Sequence, residues 1–476
     1  MKKTKDVKRI INLIIGPLLP VMSVIFISNN IFSSIEIRAA VGTVAWMVYW
    51  WLTAPVDYAV TAFVPIIMNA LVPMVPMNLI IQNYSSEIVM LLLGASILTV
   101  SWEITGLDKR ISARFLKMIG PTLKSQIAFW FLLSTVLSMM LPNAIVVATI
   151  TPVAVSMLKY VGEGDIEKSK IGCIILMAIA WGAGIGGIAT PLGGSMNLVT
   201  IDYLQQLTGK EYLYIDWIIK FAPVTVFLIG VTITTLLILS PKNTNIKGTK
   251  QFFHDLYEKF PPMKKNEYIC LYLFLIASGL SFTRQLYAEL LPGLKPAYIF
   301  IIAGITTFIL TEETGNRLMT WKVTQKKIIW ELIFIFAGGL AAGALINNSG
   351  AAGEIGKYVS SLGLTGGYMT ILTILAVTMI LADLSSNTAS AAISIPLVIS
   401  IVQGLGLNAI PYVYIASIGV NIAYSMPTSI RAIPIGYGLP PKYMFKRGIG
   451  LTIVIIPILA LLGYVLMKLW PAFSIA

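Results

Sequence analysis

Four consecutive side chains, Ser385-Ser386-Asn387-Thr388, offer hydroxyl and amide hydrogen bonds within an otherwise apolar stretch, and the small residues Ala389, Ser390, Ala391 and Ala392 follow them. Such a cluster can bind a carboxylate by hydrogen bonds while leaving no permanent charge in an apolar medium; its plainer role is to satisfy backbone groups freed at a turn. A second tip, Pro142-Asn143-Ala144, keeps only the asparagine. Two more apolar stretches are interrupted, by Gly184-Ile-Gly186-Gly187-Ile-Ala-Thr190-Pro191-Leu-Gly193-Gly194-Ser195-Met-Asn197 and by Ser425-Met-Pro427-Thr428-Ser429-Ile-Arg431. Proline and glycine there unwind a helix and release amides toward a site, and free half-helix N-termini favour anions. Arg431 is the sharpest single residue, because a guanidinium inside an apolar helix is costly unless it is paired or faces a wet cavity. Asp383, one turn before Asn387, is the candidate partner, and without a partner it would carry a proton. The candidate anion-binding groups are Asn143, Thr190, Gly193, Gly194, Ser385, Ser386, Asn387, Thr388, Thr428, Ser429 and Arg431.

The elements that hold these groups follow from composition. Of 476 residues, 57% are hydrophobic and 12% charged, whereas soluble domains carry about 25% charged residues. This describes an all-α polytopic membrane protein with the lipid bilayer as its solvent, and excludes nuclear, secreted and cytosolic soluble classes. At about 20 residues per span there is room for about ten to twelve crossings. Spanning-length runs lie at about 10–28, 36–54, 57–82, 86–104, 170–200, 213–240, 267–284, 295–311, 327–349, 406–434 and 446–470, which makes eleven. Two further regions, 124–160 and 366–401, are interrupted at midpoint, with halves too short to span comfortably; they are expected to be re-entrant hairpins.

The net charge of +13 reads as topology, because Lys and Arg collect on cytoplasmic loops. With both hairpins entering and leaving on one side, 26 of the 34 basic residues fall inside and six outside, placing the N-terminus inside and the C-terminus outside. The basic residues line one face rather than forming a patch, so nucleic-acid binding is not expected. Cys173 and Cys270 lie in apolar segments and suggest no disulfide framework or metal cluster. His254, the one histidine, sits in the basic loop 241–266, expected to be a solvated connector. The basic N-terminus precedes an apolar stretch without a small-residue cleavage site, expected to be a retained helix.

The chain also repeats. Glu87 and Glu331, Gly94 and Gly338, Gly106 and Gly350, Asn143 and Asn387, and Pro152 and Pro396 all differ by 244. An odd number of crossings separates equivalent positions, so the copies are inverted, the arrangement of secondary transporters with broken helices at midplane. The expected units are an N-terminal helix (1–35), a first repeat (36–240; helices 36–104, arm 105–123, hairpin 124–160, broken helix 170–200), the connector 241–266, and a second repeat (267–476; helices 267–349, arm 350–365, hairpin 366–401, broken helix 406–434, last helix 446–470).

Leu93-Gly94-Ala-Ser through Thr105-Gly106-Leu107-Asp108-Lys109-Arg110, its counterpart at Gly338-Gly339, the Ser386-Asn387-Thr388 tip and the breaks at 190–197 and 428–433 resemble the divalent anion:sodium symporter family. The resemblance covers nearly the whole chain after the first helix. It implies a homodimer in which helices of each repeat form a scaffold, while hairpins and broken helices form an elevator-type transport domain carrying di- or tricarboxylates. In that family both tips read Ser-Asn-Thr and meet substrate carboxylates, with sodium beside each tip. Here Pro142 and Ala144 depart from the first tip. A serine that helps hold sodium is matched by Ser138 in the first half, but its second-half counterpart is Ala382, and the family's asparagine in the second break is Arg431. Ser138 and Asp383 are thus the candidates for cation or proton coupling.

A fixed guanidinium beside a cation site repels sodium. It also makes an empty return across the membrane costly. The expectation is therefore a sodium-independent exchanger of C4-dicarboxylates or 2-oxoglutarate in the plasma membrane; the alternative is a sodium-coupled dicarboxylate or sulfate symporter. No cofactor is expected, sodium entering only in the alternative. An embedded enzyme would need a nucleophile, metal ligands or an acid–base pair, which one loop histidine and one buried aspartate do not supply.

Overall fold

The computed structural model describes residues 2–116, 122–241, 246, 249–258, 260–312, 315–360 and 365–475. Parts of both expected arms (117–121 and 361–364), with Lys117, Lys242, Lys247 and Lys259 of the basic loops, lie outside the described residues. Helix α1 (Lys2–Phe26) packs along α2 (Ile35–Thr53), where the Arg9 Nε donates to the Pro55 carbonyl at 2.9 Å.

The apolar run expected to cross as one helix at 57–82 does not do so. It is divided into α3 (Tyr58–Thr61), α4 (Val64–Leu71) and α5 (Met77–Ile81). Prolines at 73 and 76 stop the helix. Asn69 then caps the turn, its Oδ1 accepting from the amides of Met74 (3.1 Å) and Val75 (3.0 Å).

The remainder of the first half comprises α6 (Glu87–Thr105), α7 (Leu107–Leu116), α8 (Leu123–Met140), α9 (Asn143–Tyr160), α10 (Lys170–Ala189), α11 (Ser195–Thr208) and α12 (Tyr214–Leu239). The second half comprises α13 (Thr249–Glu258), α14 (Lys265–Phe282), α15 (Pro296–Ile309), α16 (Trp321–Lys327), α17 (Trp330–Asn348), α18 (Ala351–Ser360), α19 (Tyr368–Leu384), α20 (Asn387–Gly404), α21 (Ile410–Asn421), α22 (Ala432–Gly436) and α23 (Pro441–Leu469). Among the described residues there is no strand, only one isolated bridge between Thr311 and Arg317.

The repeat is visible in the backbone. Adding 244 to α9 reproduces α20 end to end, and each of these helices carries its proline, Pro152 or Pro396, at the same position. Gly106 and Gly350, which follow α6 and α17, both adopt positive φ (78° and 87°), a conformation that costs other residues strain. The chain therefore turns into α7 and into α18 in the same way.

Nine helices among the described residues are long and apolar enough to cross, with four shorter apolar ones beside them. These nine include α8, α9 and α20, each of 18 residues. The expectation that every hairpin half would be too short is thus corrected: about 27 Å of helix suffices for most of the bilayer core. What distinguishes these pairs is that two-residue links, Leu141-Pro142 and Ser385-Ser386, are packed against the interrupted helices rather than left at a surface.

Helix–helix contacts are close where glycine permits. A Cβ at Gly186 would overlap the Thr135 carbonyl, joining α10 to α8, and one at Gly339 would overlap the Ala392 methyl, joining α17 to α20. The connector 241–266 is also more than a solvated loop. Its helix α13 buries Phe253 against Trp130 (centroids 5.9 Å) and sets Phe252 on Tyr160, while His254 on the exposed side pairs with Glu258. Cys173 and Cys270 are free and buried.

Candidate functional site

The two hairpin tips meet the two interrupted helices in matching fashion. In the first half, the Thr190 hydroxyl, at the end of α10, donates to the Met139 carbonyl at 2.6 Å; in the second, the Thr428 hydroxyl donates to the Asp383 carbonyl at 2.9 Å. Met139 and Asp383 are equivalent under the offset of 244. Each tip is therefore held by a threonine from the broken helix of its own half, which satisfies a carbonyl left free at the end of α8 or α19.

Around the first tip, the Asn143 amide donates to the Gly193 carbonyl at 3.3 Å, and the Gly193 amide to the Thr190 hydroxyl at 3.2 Å. Gly193 is required by proximity, because a Cβ there would stand 2.6 Å from the Ser138 carbonyl and 2.7 Å from that of Gly187. Gly194 immediately precedes α11. The Asn143 side chain lies over Gly187 and is half-buried. Ser138 is fully buried, and its hydroxyl has no hydrogen-bond partner among the described residues. A cavity of about 160 Å³ reaches Leu141 and Pro142, lined also by Asp108, Glu103 and Lys327.

Around the second tip, most of the expected ligand groups are engaged within the protein. The Ser385 hydroxyl bonds to the Leu381 carbonyl (3.0 Å) and to Ser390 (2.9 Å), and the Ser386 hydroxyl caps α20 by accepting from the Ala389 amide (3.2 Å). Thr388 meets Ser195 of the first half, oxygen to oxygen, at 2.5 Å. The Asn387 Nδ2 donates to the Asn421 carbonyl (3.2 Å), while its Oδ1 is buried without a partner among the described residues. Ser429 is exposed and left-handed (φ 52°), a strained conformation for a serine that marks the turn of the second break.

Arg431 is buried and paired. Its Nε donates to the Met426 carbonyl (2.8 Å), its Nη1 to that of Ala423 (3.1 Å), and its Nη2 to that of Ala382 (3.3 Å) and to the Thr428 hydroxyl (2.8 Å). Asp383 stands 3.8 Å from Nη2, and its Oδ1 accepts the Ser425 and Met426 amides at 3.0 and 3.2 Å. The guanidinium therefore occupies a cage of oxygens, the Ala423 and Met426 carbonyls and the Thr428 hydroxyl from the helix break and the Ala382 carbonyl from the last turn of α19, the kind of oxygen shell that otherwise holds a hard cation. Four of its five N–H donors are thereby taken up by protein oxygens. Because Asp383 offsets the charge, the expected cost of carrying a bare positive charge across the membrane does not apply.

Asn197 and Asn421 were not among the expected site residues, yet they connect the halves. The Asn421 Nδ2 donates to the Asn197 Oδ1 at 2.9 Å, and the Asn197 Nδ2 donates to the carbonyls of Gly187 (2.6 Å) and Thr190 (2.8 Å). Asn197 lay inside the interrupted motif and could have been read there; Asn421 ends an apolar helix with no pattern to single it out. Glu87 stands apart in an ion pair with Lys295, whereas Glu103 lines the cavity at the first tip together with its ion-pair partner Lys327.

Residues 47–419 match the family model described as citrate transporter. The sodium-dependent dicarboxylate transporter SdcS of Staphylococcus saprophyticus is 25% identical over 98% of this chain and 92% of its own length. SdcS of Staphylococcus aureus strain MRSA252 is likewise 25% identical, over 98% of this chain and 93% of its own. Among solved structures, the Alcanivorax borkumensis YdaH transporter, described as having an unusual topology, is similar with a TM-score of 0.54 at 14% identity, covering 83% of this chain and 88% of that one. At that identity the likeness concerns the fold alone.

Proposed function

The chain belongs to the citrate transporter family, and we propose that within it the chain is a sodium-independent exchanger of C4-dicarboxylates or 2-oxoglutarate in the plasma membrane. It is a transporter and not an enzyme. The dicarboxylate class is supported by the printed names of the SdcS relatives together with two opposed tips, one for each carboxylate. In this reading Asn143 and the amides around Gly193 and Gly194 serve one end of the substrate. Ser386, Asn387, Thr388 and the second break serve the other.

The observation that carries sodium independence is the occupied cage. The oxygens of Ala382, Ala423, Met426 and Thr428 already coordinate the Arg431 guanidinium, so a hard cation would have to displace a covalently attached one. A symporter needs a cation that can leave with the substrate, whereas a tethered one stays. The flux such a site supports is the swap of one dianion for another.

Hairpins and broken helices would move as an elevator past a scaffold that joins two protomers, with the N-terminus cytoplasmic and the C-terminus outside. The cavity reaching Pro142 is then the route on the side of the basic loops.

A second reading, sodium-coupled uptake, is favoured by the relatives' names and by the unpartnered Ser138 hydroxyl in the first half. The two readings separate in proteoliposomes: exchange requires unlabelled dicarboxylate inside for labelled succinate or malate to enter. Uptake into buffer-loaded vesicles driven by a sodium gradient would establish the second.

A further inference from the structure

Two buried polar contacts run between α11 and α21, one turn apart. Nearer the tips, the Asn421 Nδ2 donates to the Asn197 Oδ1 at 2.9 Å; farther away, the Thr200 hydroxyl donates to Ser417 at 3.0 Å. All four residues are 0–2% exposed. Only the first contact continues into the site. Asn197 passes it to the freed carbonyls of Gly187 and Thr190, and Asn421 passes it through its own carbonyl to the Asn387 side chain of the second tip.

The first helix break and the second hairpin tip are therefore joined through one amide pair. A carboxamide suits this position because it is donor and acceptor at once and carries no charge. In a dry interior such a relay is stiff, since each lost bond leaves a buried partner unsatisfied.

We propose that Asn421 is a positioning residue for the substrate: through Asn197 it fixes the spacing between the two half-sites, so that both ends of one dianion are met at once. It touches no substrate itself. This rests on the reading of the tips as the two ends of a dicarboxylate site. It adds that the affinity for a two-ended anion depends on a bond between repeats that lies outside both tips.

The test is a double-mutant cycle on exchange kinetics, with thermal unfolding of each purified variant in parallel. Asn421→Ala should raise the KM for a dicarboxylate by about tenfold, the equivalent of the one buried hydrogen bond between the repeats, and Asn197→Ala by at least as much, since it also leaves the Gly187 and Thr190 carbonyls without their donor. The double variant should be no worse than Asn197→Ala alone, because the bond that Asn421→Ala removes is already gone there. Thr200→Val, which removes the neighbouring contact, should lower the unfolding temperature and leave KM unchanged. If Asn421→Ala does not fold, Asn421→Ser carries the same expectation, since its shorter side chain cannot reach Asn197. A wild-type KM in the Asn421 variant, additive effects in the double, or an equal rise in Thr200→Val would overturn the proposal. Wild-type protein without saturable dicarboxylate exchange would instead overturn the functional reading beneath it.

Discussion

At the scale of single residues, the proposed exchange turns on the buried pair of Arg431 and Asp383 and the oxygens around it. Removing one partner of such a pair costs about 3–5 kcal/mol, because the other charge is left buried and alone. Arg431→Ala should therefore abolish exchange and lower the unfolding temperature markedly. Adding Asp383→Asn to it should restore part of the stability without restoring exchange, since the carbonyl cage stays empty. Arg431→Lys should also fail: an ammonium cannot reproduce the fork that meets Ala382, Ala423, Met426 and Thr428 together. Unfolding curves and exchange rates of these variants check all three outcomes. Retained exchange in Arg431→Ala would remove the residue from the mechanism. The pairing of Arg431 with Asp383 was legible in sequence from their being the charges nearest the second tip and break. The direction in which the guanidinium points was not, because two of the carbonyls it meets, Ala423 and Met426, belong to a loop whose course no side-chain pattern encodes, and the third, Ala382, is brought there by the packing of α19.

At the scale of elements, the seam between α17 and α20 is closest where two small residues meet, Gly339 against the methyl of Ala392, while Gly338 on the neighbouring side of α17 lies against Ala62. In the elevator reading this seam separates scaffold from moving hairpin. Gly339→Ala places a methyl against that of Ala392, and overpacking of this kind costs about 1–3 kcal/mol. The expected result is slowed exchange at saturating substrate with KM unchanged, measured as a rate in proteoliposomes; an unaltered rate would show that the seam does not slide.

The helices themselves were largely readable, as were the hairpins, because a shared offset of 244 ties motif to motif. The segment 57–82 was not, since its apolar content masks prolines that end the helix and Asn69, which caps the turn. Nor was α13, whose ten residues bury one aromatic face beneath a charged surface.

At the scale of the whole molecule, a bidentate ion pair between a buried arginine and a half-buried glutamate joins the two parts that the elevator reading sets in motion. Arg284, after α14, meets Glu211, between α11 and α12, at 2.9 and 3.1 Å, and also donates to the Leu291 and Pro292 carbonyls. If this contact must open during the cycle, Glu211→Gln lowers the unfolding temperature but speeds exchange. A fall in both would assign the pair to folding alone.

In the proposed mechanism an arginine of the chain stands where a coupling cation would, and sodium replacement tests that placement most directly. Counterflow of labelled dicarboxylate would be measured in dicarboxylate-loaded proteoliposomes with sodium replaced by choline on both faces. An unchanged rate is expected. Flux that disappears without sodium and returns saturably as sodium is restored would contradict it.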